Sequence, residues 1–180
     1  MLTWLRERGR TGRTASKLYG SIVAHARNPA FFTDLGVPDS LEGRYGVLVV
    51  HLWLILDRLK RAPAAEGLAR ALVETFVTDM DDNMREIGVG DLSVPRKVKK
   101  AAAGLFDRTR EYDAALATGD DAALCAALGR HLAGSDAWPA AGRLLSWIRA
   151  TRGELTRWPD DRLLAGEIAM PAPETGASAP

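Results

Sequence analysis

Apolar residues recur along most of the chain at the three- and four-residue intervals of an α-helix. The first strongly periodic segment ends before Asn28-Pro29. Its apolar positions are Leu18, Tyr19, Ile22, Val23 and Ala26. Residues at this spacing share one face of a helix, so the pattern predicts an amphipathic helix here. The next stretch, residues 30–38, is shorter and predicts a turn or a half-helix.

The following segment predicts a helix at the centre of the fold. Nearly every residue from Val47 to Leu56 is apolar, which is typical of a helix surrounded by other helices. A buried strand would be shorter and would lack the helical flanks. Asp39 and Glu42 have the spacing of a capping box, so we expect Asp39 to cap this helix. His51 lies inside the apolar run and is expected to be a hydrogen-bonded core histidine.

Two long amphipathic segments come next, separated by a short break that contains two glycines. We expect the first helix to end at Gly88, because glycine commonly terminates helices. Ser93 is expected to cap the second helix, with Pro95 in its first turn, where proline is tolerated. Two further helices are predicted after Asp120 and Asp136, which carry side chains preferred at N-caps.

The sequence contains no convincing strand and no internal repeat, and its 180 residues suit one domain with a sizeable core. We therefore predict an all-α fold, a single compact bundle of about six helices. Residues 16–168 form the predicted helical domain, and residues 1–15 form a basic N-terminal arm. Residues 169–180 are rich in proline, alanine and glycine, which predicts a disordered tail.

Composition narrows the range of functions. The net charge of +1 gives no overall field to attract nucleic acid, so DNA is not an expected partner. Cys125 is the only cysteine, which excludes an internal disulfide. No run reaches the roughly 18 apolar residues of a membrane span. In the arm, arginines accompany Leu2, Trp4 and Leu5, a composition shared by transit peptides, membrane-touching arms and frayed termini.

The helix that is expected to end at Gly88 carries an acidic cluster near its end. Its members are Asp79, Asp81, Asp82 and Glu86. Three of these carboxylates are neighbours on a helical wheel and repel one another unless a cation, an arginine or backbone donors balance them. An EF-hand loop beginning at Asp79 would need glycine at its sixth position and glutamate at its twelfth, and the sequence has neither there.

The acidic cluster also allows an enzymatic interpretation. Asp81, Asp82 and Glu86 form a helical DDxxxE pattern that is similar to the acidic motif of prenyl-diphosphate enzymes. Such an enzyme needs a second acidic motif on a facing helix, and the nearest candidate is the weak pair Asp107 and Glu111. A magnesium-dependent enzyme is therefore an alternative, beside a solvated acidic face and a surface that meets another protein.

A basic cluster follows the glycine-containing break. It consists of Arg96, Lys97, Lys99 and Lys100, which the helical spacing turns away from the apolar face. Exposed cations bind the phosphates of ribosomal RNA or of lipid headgroups, and they equally serve to keep a surface solvated. No aromatic residue alternates with them, so base stacking is not expected. An adaptor on the ribosome or on a membrane surface is a further alternative.

Two blocks of the sequence resemble the ubiquinol–cytochrome c chaperone family, the assembly factors of the cytochrome bc1 complex. The first block, residues 39–60, reads DSLEGRYGVLVVHLWLILDRLK. The second block, residues 72–108, reads LVETFVTDMDDNMREIGVGDLSVPRKVKKAAAGLFDR. The likeness covers roughly Leu18 to Ala117, and the part of the chain after Asp120 carries no motif of the family that we identify.

The resemblance implies a chaperone that is not an enzyme and needs neither cofactor nor metal. Such a protein binds newly made cytochrome b and holds it for cofactor insertion and assembly. The resemblance also suggests a small helical partner protein, the ribosome and the inner-membrane surface as partners. Mitochondrial relatives carry long presequences, whereas here the domain begins close to Met1. We therefore expect a bacterial protein of the cytoplasm, either free or resting on the inner membrane.

On this interpretation the acidic and basic clusters either frame a partner-binding surface or pair with each other across the Gly88–Gly90 break and set the angle between the two helices. Met80 and Met84, with Phe31, Phe32 and Phe76, either line an apolar groove between the clusters or belong to the core. The expected partner-binding residues are Asp79, Asp81, Asp82, Glu86, Arg96, Lys97, Lys99, Lys100, Met80 and Met84.

Overall fold

A computed structural model describes the backbone of residues 2–86 and 93–173, and the side chains from residue 9 onward within these ranges. The helices are α1 (Leu2–Ala26), α2 (Ala30–Thr33), α3 (Leu41–Lys60), α4 (Glu66–Glu86), α5 (Val94–Thr118), α6 (Asp121–Ala133), α7 (Ala141–Arg157) and α8 (Asp160–Leu164). The described ranges contain no strand, and the predicted all-α fold is confirmed. Six of these helices are long, and the four-residue α2 and the five-residue α8 are additions to the predicted six.

Helix α3 lies at the centre of the bundle, as its uniformly apolar sequence predicts. Helices α1, α4, α5, α6 and α7 all pack against it. Its interior residues, among them Val49, Trp53 and Ile55, have no exposed surface. Gly46 lets α6 approach closely, because a Cβ there would lie only 3.0 Å from the Leu132 side chain. One contiguous core therefore joins most of the helices.

His51 is a polar residue at the middle of α3. Its Nδ1 lies 2.8 Å from the carbonyl oxygen of Val47, and its ring packs against those of Phe31 and Trp147 with centroids 5.0 Å apart. Burial lowers the pKa of His51 to about 4, and the hydrogen bond to Val47 opposes this shift only in part. The prediction of a hydrogen-bonded core histidine is confirmed.

The predicted cap of α3 was wrong by one residue. The N-cap is Ser40, whose hydroxyl accepts a hydrogen bond from the backbone N–H of Gly43. The carboxylate of Asp39 instead pairs with the guanidinium of Arg44, with a distance of 2.6 Å from Nε to Oδ1. Asp39 lies one position before the N-cap, and its carboxylate is held in the ion pair with Arg44, so it does not cap the helix.

The caps predicted in the second half of the chain had different outcomes. Asp120 caps α6 by accepting from the backbone N–H of Ala123, which confirms that prediction. The prediction for Asp136 was wrong, since its carboxylate pairs with Arg130 and α7 begins only at Ala141. Pro139 explains the late start, because the residue before a proline is disfavoured in the helical conformation.

The first helix at one end of the described chain, and the packed residues at the other end, extend further than the sequence indicated. Helix α1 begins at Leu2 and includes the predicted basic arm. Near the other end Met170 is buried, and the carbonyl of Pro171 accepts a hydrogen bond from Trp147 Nε1 at 2.8 Å. The chain is therefore packed up to residue 173, whereas residues 174–180 and the predicted helix end at Gly88 lie outside the described residues.

Membrane-spanning helices were also sought in the described residues. None of the helices there combines the length and the hydropathy that crossing a bilayer requires.

Candidate partner-binding surface

The acidic and basic clusters lie at one end of a helix pair. Helix α5 follows α4 after residues 87–92 and packs along it, so the end of α4 and the start of α5 share one end of the pair. We call residues 77–86 and 93–100 the α4–α5 tip. Helix α1 also packs against α4.

The tip contains little of the apolar core. Val94 and Val98 are buried, but they do not belong to the contiguous core cluster. Met80 is half-buried against that core, and Met84 is half-buried as well. Both thioethers therefore keep part of their surface accessible.

Two of the five residues that were considered for an apolar groove are buried in the core. Phe31 and Phe76 are fully buried and belong to the core, while Phe32 is half-buried. The helical periodicity of apolar positions identifies the apolar face of a helix. It does not show whether that face packs into the core or lines an accessible groove. What remains accessible beside the charges of the tip is the pair Met80 and Met84.

Asp79 holds two helices together. The hydroxyl of Tyr19 on α1 donates a hydrogen bond to the Asp79 carboxylate on α4, with a distance of 2.8 Å. Burial, this hydrogen bond and the charge of Asp79 together raise the pKa of Tyr19, so the phenol stays protonated. Asp79 is half-buried and contributes to the packing of α1 against α4.

The remaining acids of the cluster differ in their surroundings. Asp81 pairs with Arg85 one turn later, with a distance of 2.8 Å from Nε to Oδ2. Asp82 and Glu86 are exposed, and among the described residues no ion pair involves either of them. The acidic cluster therefore separates into two carboxylates with partners inside the chain and two that face solvent.

This arrangement does not support a magnesium–diphosphate site. Asp107 of the proposed second motif pairs with Arg110, and Glu111 bonds to His131 and Arg130. Burial alone would raise the pKa of Glu111, but the hydrogen bonds from His131 and Arg130 outweigh it and lower that pKa. Within the described ranges no three His, Cys, Asp or Glu side chains come together in a way that could hold a metal ion.

The basic cluster is exposed at every position. Arg96, Lys97, Lys99 and Lys100 are all exposed. Arg96 and Lys100 lie on the opposite side of α5 from the buried Val98, and Lys97 and Lys99 lie on its flanks. The part of the chain that the structure describes shows no ion pair for these four cations. They form the start of α5, and the first turn of this helix contains no acidic residue.

Part of each cluster lies in a terminal helical turn where the helix dipole disfavours its charge. Anions stabilise the N-terminus of a helix and cations its C-terminus, by about 0.3–1 kcal/mol each near the surface. Glu86 is an acid in the last turn of α4, whereas Arg96 and Lys97 are cations at the beginning of α5. The stability of the two helices therefore does not explain these charges.

Sequence reasoning missed two exposed apolar side chains. Leu41 in the first turn of α3 is 72% exposed, and Phe106 on α5 is 55% exposed. Phe106 borders a shallow groove together with Asp107, Arg110 and Asp113. The exposure of Phe106 could have been predicted from its position on the helix. Phe106 is adjacent to the buried Leu105 and therefore points off the apolar face of α5.

Comparison with known proteins gives consistent results. A family model described as "Ubiquinol-cytochrome C chaperone" matches residues 33–170. The crystal structure of the Cbp3 homolog from Brucella abortus is similar, with a TM-score of 0.80 and 35% identity, over 94% of this chain and 95% of that one. The family match includes the residues after Asp120, so the extent that we recognised from the sequence was too short at that end.

Two curated relatives are more distant in sequence. A ubiquinol-cytochrome-c reductase complex assembly factor 1 of Xenopus laevis is 24% identical over 119 residues, 66% of this chain and 59% of that protein. The corresponding factor of Drosophila melanogaster is 24% identical over 159 residues, 84% of this chain and 61% of that protein. The chain thus spans about three fifths of the length of either relative.

These descriptions name chaperones and assembly factors and no enzyme, in agreement with the prediction that the chain is not an enzyme. The family match covers well over half of the 180 residues. The chain belongs to the ubiquinol-cytochrome C chaperone family.

Proposed function

We propose that this protein is an assembly chaperone that binds newly made cytochrome b during biogenesis of the ubiquinol–cytochrome c reductase complex, and that it catalyses no reaction. Its family and the names of its relatives support a role in the assembly of that complex. The observation that carries the choice of surface is the reversed charge pattern of the α4–α5 tip.

The charge pattern favours a contact with another molecule. Glu86 at the end of α4 and Arg96 and Lys97 at the start of α5 oppose the helix dipoles, and none of the three makes an ion pair within the described residues. Exposed charges of both signs on a small area steer a partner with the complementary pattern and fix its orientation. A partner that covers the tip would satisfy these charges, which the fold itself leaves to solvent.

The apolar part of the surface suits a variable client. Met80 and Met84 are half-buried, and a methionine side chain is flexible enough to adapt to different apolar segments. Cytochrome b consists mainly of membrane spans and short connections, so a client segment would carry apolar residues next to charged ones. Asp79 positions α4 against α1, and Asp81 pairs with Arg85 within α4. The proposed contact residues are Met80, Met84, Asp82, Glu86, Arg96, Lys97, Lys99 and Lys100.

The test is capture of cytochrome b by the tagged protein. We would purify it from membranes of a host that makes the bc1 complex, dissolved in mild detergent, and identify bound proteins by mass spectrometry. The tip variant would be Lys97→Gln/Lys99→Gln/Lys100→Gln. The matched control, Arg70→Gln/Arg143→Gln/Arg157→Gln, removes three exposed cations elsewhere.

The expected result is enrichment of cytochrome b, without the mature complex, by the wild-type and control proteins and a clear loss with the tip variant. Equal capture by all three proteins would refute the tip as the binding surface. Absence of cytochrome b from every eluate, despite abundant cytochrome b in the input, would refute the proposed client.

The unpaired cations of the tip also favour a second candidate function, an adaptor that binds the phosphates of a ribosome or of the inner-membrane surface. Phosphate contacts release counterions, so such binding should weaken steeply as the salt concentration rises. Capture of ribosomal proteins that is independent of salt would contradict this candidate. The chaperone proposal also includes a small helical partner protein, which the same purification would detect in the eluate. It further includes a position in the cytoplasm next to the inner membrane.

A further inference from the structure

A row of cations runs along the outer side of α1. Arg10, Arg13 and Lys17 follow one another at intervals of three and four residues, and all three are exposed. At 100° per residue they lie within about 60° of one another on the helix. The buried residues Ala15 and Leu18 lie on the opposite side of α1, so the row points directly away from the core.

The surroundings leave this row strongly positive. From residue 8 to residue 33 the sequence contains no Asp or Glu. Lys17 reaches Glu167, with a distance of 3.3 Å from Nζ to Oε1, and donates to the carbonyl of Ala165. Arg10 and Arg13 take part in no ion pair among the described residues. Two guanidinium groups are therefore available to a partner.

The outer face of α1 also has a position without a side chain. Gly20 is exposed, it lies about 20° from Arg13 on the helical wheel, and a Cβ added there would have no atom within 4 Å. Glycine destabilises a helix interior relative to alanine, so neither packing nor helix stability accounts for this residue. Its effect is that no side chain projects from the helix at this position beside the row.

We propose that this face of α1 binds the surface of a membrane that contains anionic lipids. The cations match the phosphates of such a surface, each strengthening the attraction while it lies within a Debye length. The inference rests on the proposed position next to the inner membrane and assigns a surface to it, and it is independent of the client that the tip binds.

The chemistry of the face favours lipid over RNA. Binding of single-stranded RNA relies on aromatic side chains that stack on bases. The exposed positions of α1 from residue 9 onward carry no aromatic residue, since Tyr19 is buried. A single straight row of arginine and lysine fits a plane of headgroups without reading any base.

The experiment is co-flotation of the whole purified chain with lipid vesicles. One set of vesicles contains phosphatidylcholine alone, and the other contains equal amounts of phosphatidylcholine and phosphatidylglycerol. The test variant is Arg10→Gln/Arg13→Gln, which leaves the contacts of Lys17 intact. The matched control is Arg70→Gln/Arg143→Gln, with the same loss of charge at exposed sites on α4 and α7. Circular dichroism verifies that all proteins are folded.

We expect the wild-type and control proteins to bind the phosphatidylglycerol vesicles and the test variant to bind them roughly tenfold more weakly. Wild-type binding should also fall as salt is added. Equal losses in the test and control variants, or equal wild-type binding to both kinds of vesicle, would overturn the proposal. So would tighter binding to an RNA homopolymer than to the vesicles. If the test variant binds lipid as strongly as the wild type and still captures cytochrome b, this inference is overturned. The proposed function would then still stand.

Discussion

The middle of α3 and the α4–α5 tip are two parts of one bundle with opposite construction. In α3, the residues from Val49 to Ile55 are buried on all sides by five neighbouring helices. In the tip, Val94 and Val98 are the buried residues, they lie outside the contiguous core, and charged residues occupy most other positions. Removal of apolar surface from water therefore stabilises α3, whereas the tip obtains little stability in this way.

The difference separates residues that determine folding from residues that are available for contacts. A chaperone must keep its own fold while it binds and releases a client, so its binding surface should contribute little to global stability. Changes in α3 should then lower the free energy of unfolding, and changes at the exposed positions of the tip should alter binding alone. The following predictions test this division, beginning with the largest expected effect.

The largest effect is expected from Trp53. Trp53→Ala should lower the free energy of unfolding by about 3–5 kcal/mol, because it leaves a cavity and removes the hydrogen bond from Nε1 to Asp113. Met84→Ala in the tip should cost less than about 1 kcal/mol, since that side chain is only half-buried. Urea unfolding followed by circular dichroism measures both. Similar losses for the two variants would contradict the division.

His51 should make the stability of the core depend on pH. Its pKa is about 4 in the folded protein and 6.5 in the unfolded chain, so the unfolded chain binds more protons between these values. Stability should therefore be fully present above pH 6.5 and decrease as pH falls towards 4, by about 3 kcal/mol for this one group. His25 is the neighbouring titratable group, and its pKa is also lowered by burial.

The control for this effect is His51→Asn, which removes the titrating ring. Urea midpoints of both proteins measured from pH 4 to pH 7 isolate the contribution of His51 as a difference. We expect the variant to be less stable at pH 7 and to show a shallower decline in acid. Parallel curves would mean that His51 does not titrate in this range.

Asp79 should behave as a residue of the fold, although it lies in the acidic cluster. Tyr19→Phe and Asp79→Ala should each lower the free energy of unfolding by about 1–2 kcal/mol, because each removes the hydrogen bond between α1 and α4. The double variant should lose little more than either single variant. Fully additive losses would show that the two side chains do not interact.

The smallest effects are expected from the exposed acids at opposite helix ends. Glu86→Gln removes an acid from the last turn of α4 and should raise stability by about 0.3 kcal/mol. Glu42→Gln removes an acid from the first turn of α3 and should lower stability by a similar amount, about 0.3 kcal/mol. Thermal unfolding at low salt resolves the sign of each change. Only Glu86→Gln should weaken capture of cytochrome b, and the reverse order would exclude a role of Glu86 in binding.

The sequence was sufficient to predict features that depend on local patterns. Helical periodicity predicted the all-α fold, the central position of α3 and the burial of Trp53 and His51. Asp120 was predicted correctly as a cap, and among the described residues its carboxylate takes part in no ion pair that would compete with this role. Asp39 and Asp136 failed as caps because each has an arginine in reach, and a cap is one of several uses for an aspartate.

Features that depend on distant residues were not predictable in this way. The hydrogen bond between Tyr19 and Asp79 joins residues sixty positions apart, so no local signal separates Asp79 from the exposed Asp82. The burial of Phe31 against His51 and Trp147 likewise requires three different helices to meet. The helical wheel shows which residues share a face, but only the assembled bundle shows what covers that face.

One interaction in the core has a consequence for the order in which the chain can fold during synthesis. Arg58 at the end of α3 is only 7% exposed; its guanidinium donates to the carbonyls of Leu155 and Trp158 and pairs with Asp160. A ribosome produces Arg58 about a hundred residues before these acceptors, and a buried cation without partners is strongly unfavourable. The end of α3 therefore has to stay hydrated until residue 160 has emerged, so the chaperone cannot bury this end of its central helix until about a hundred further residues have been made.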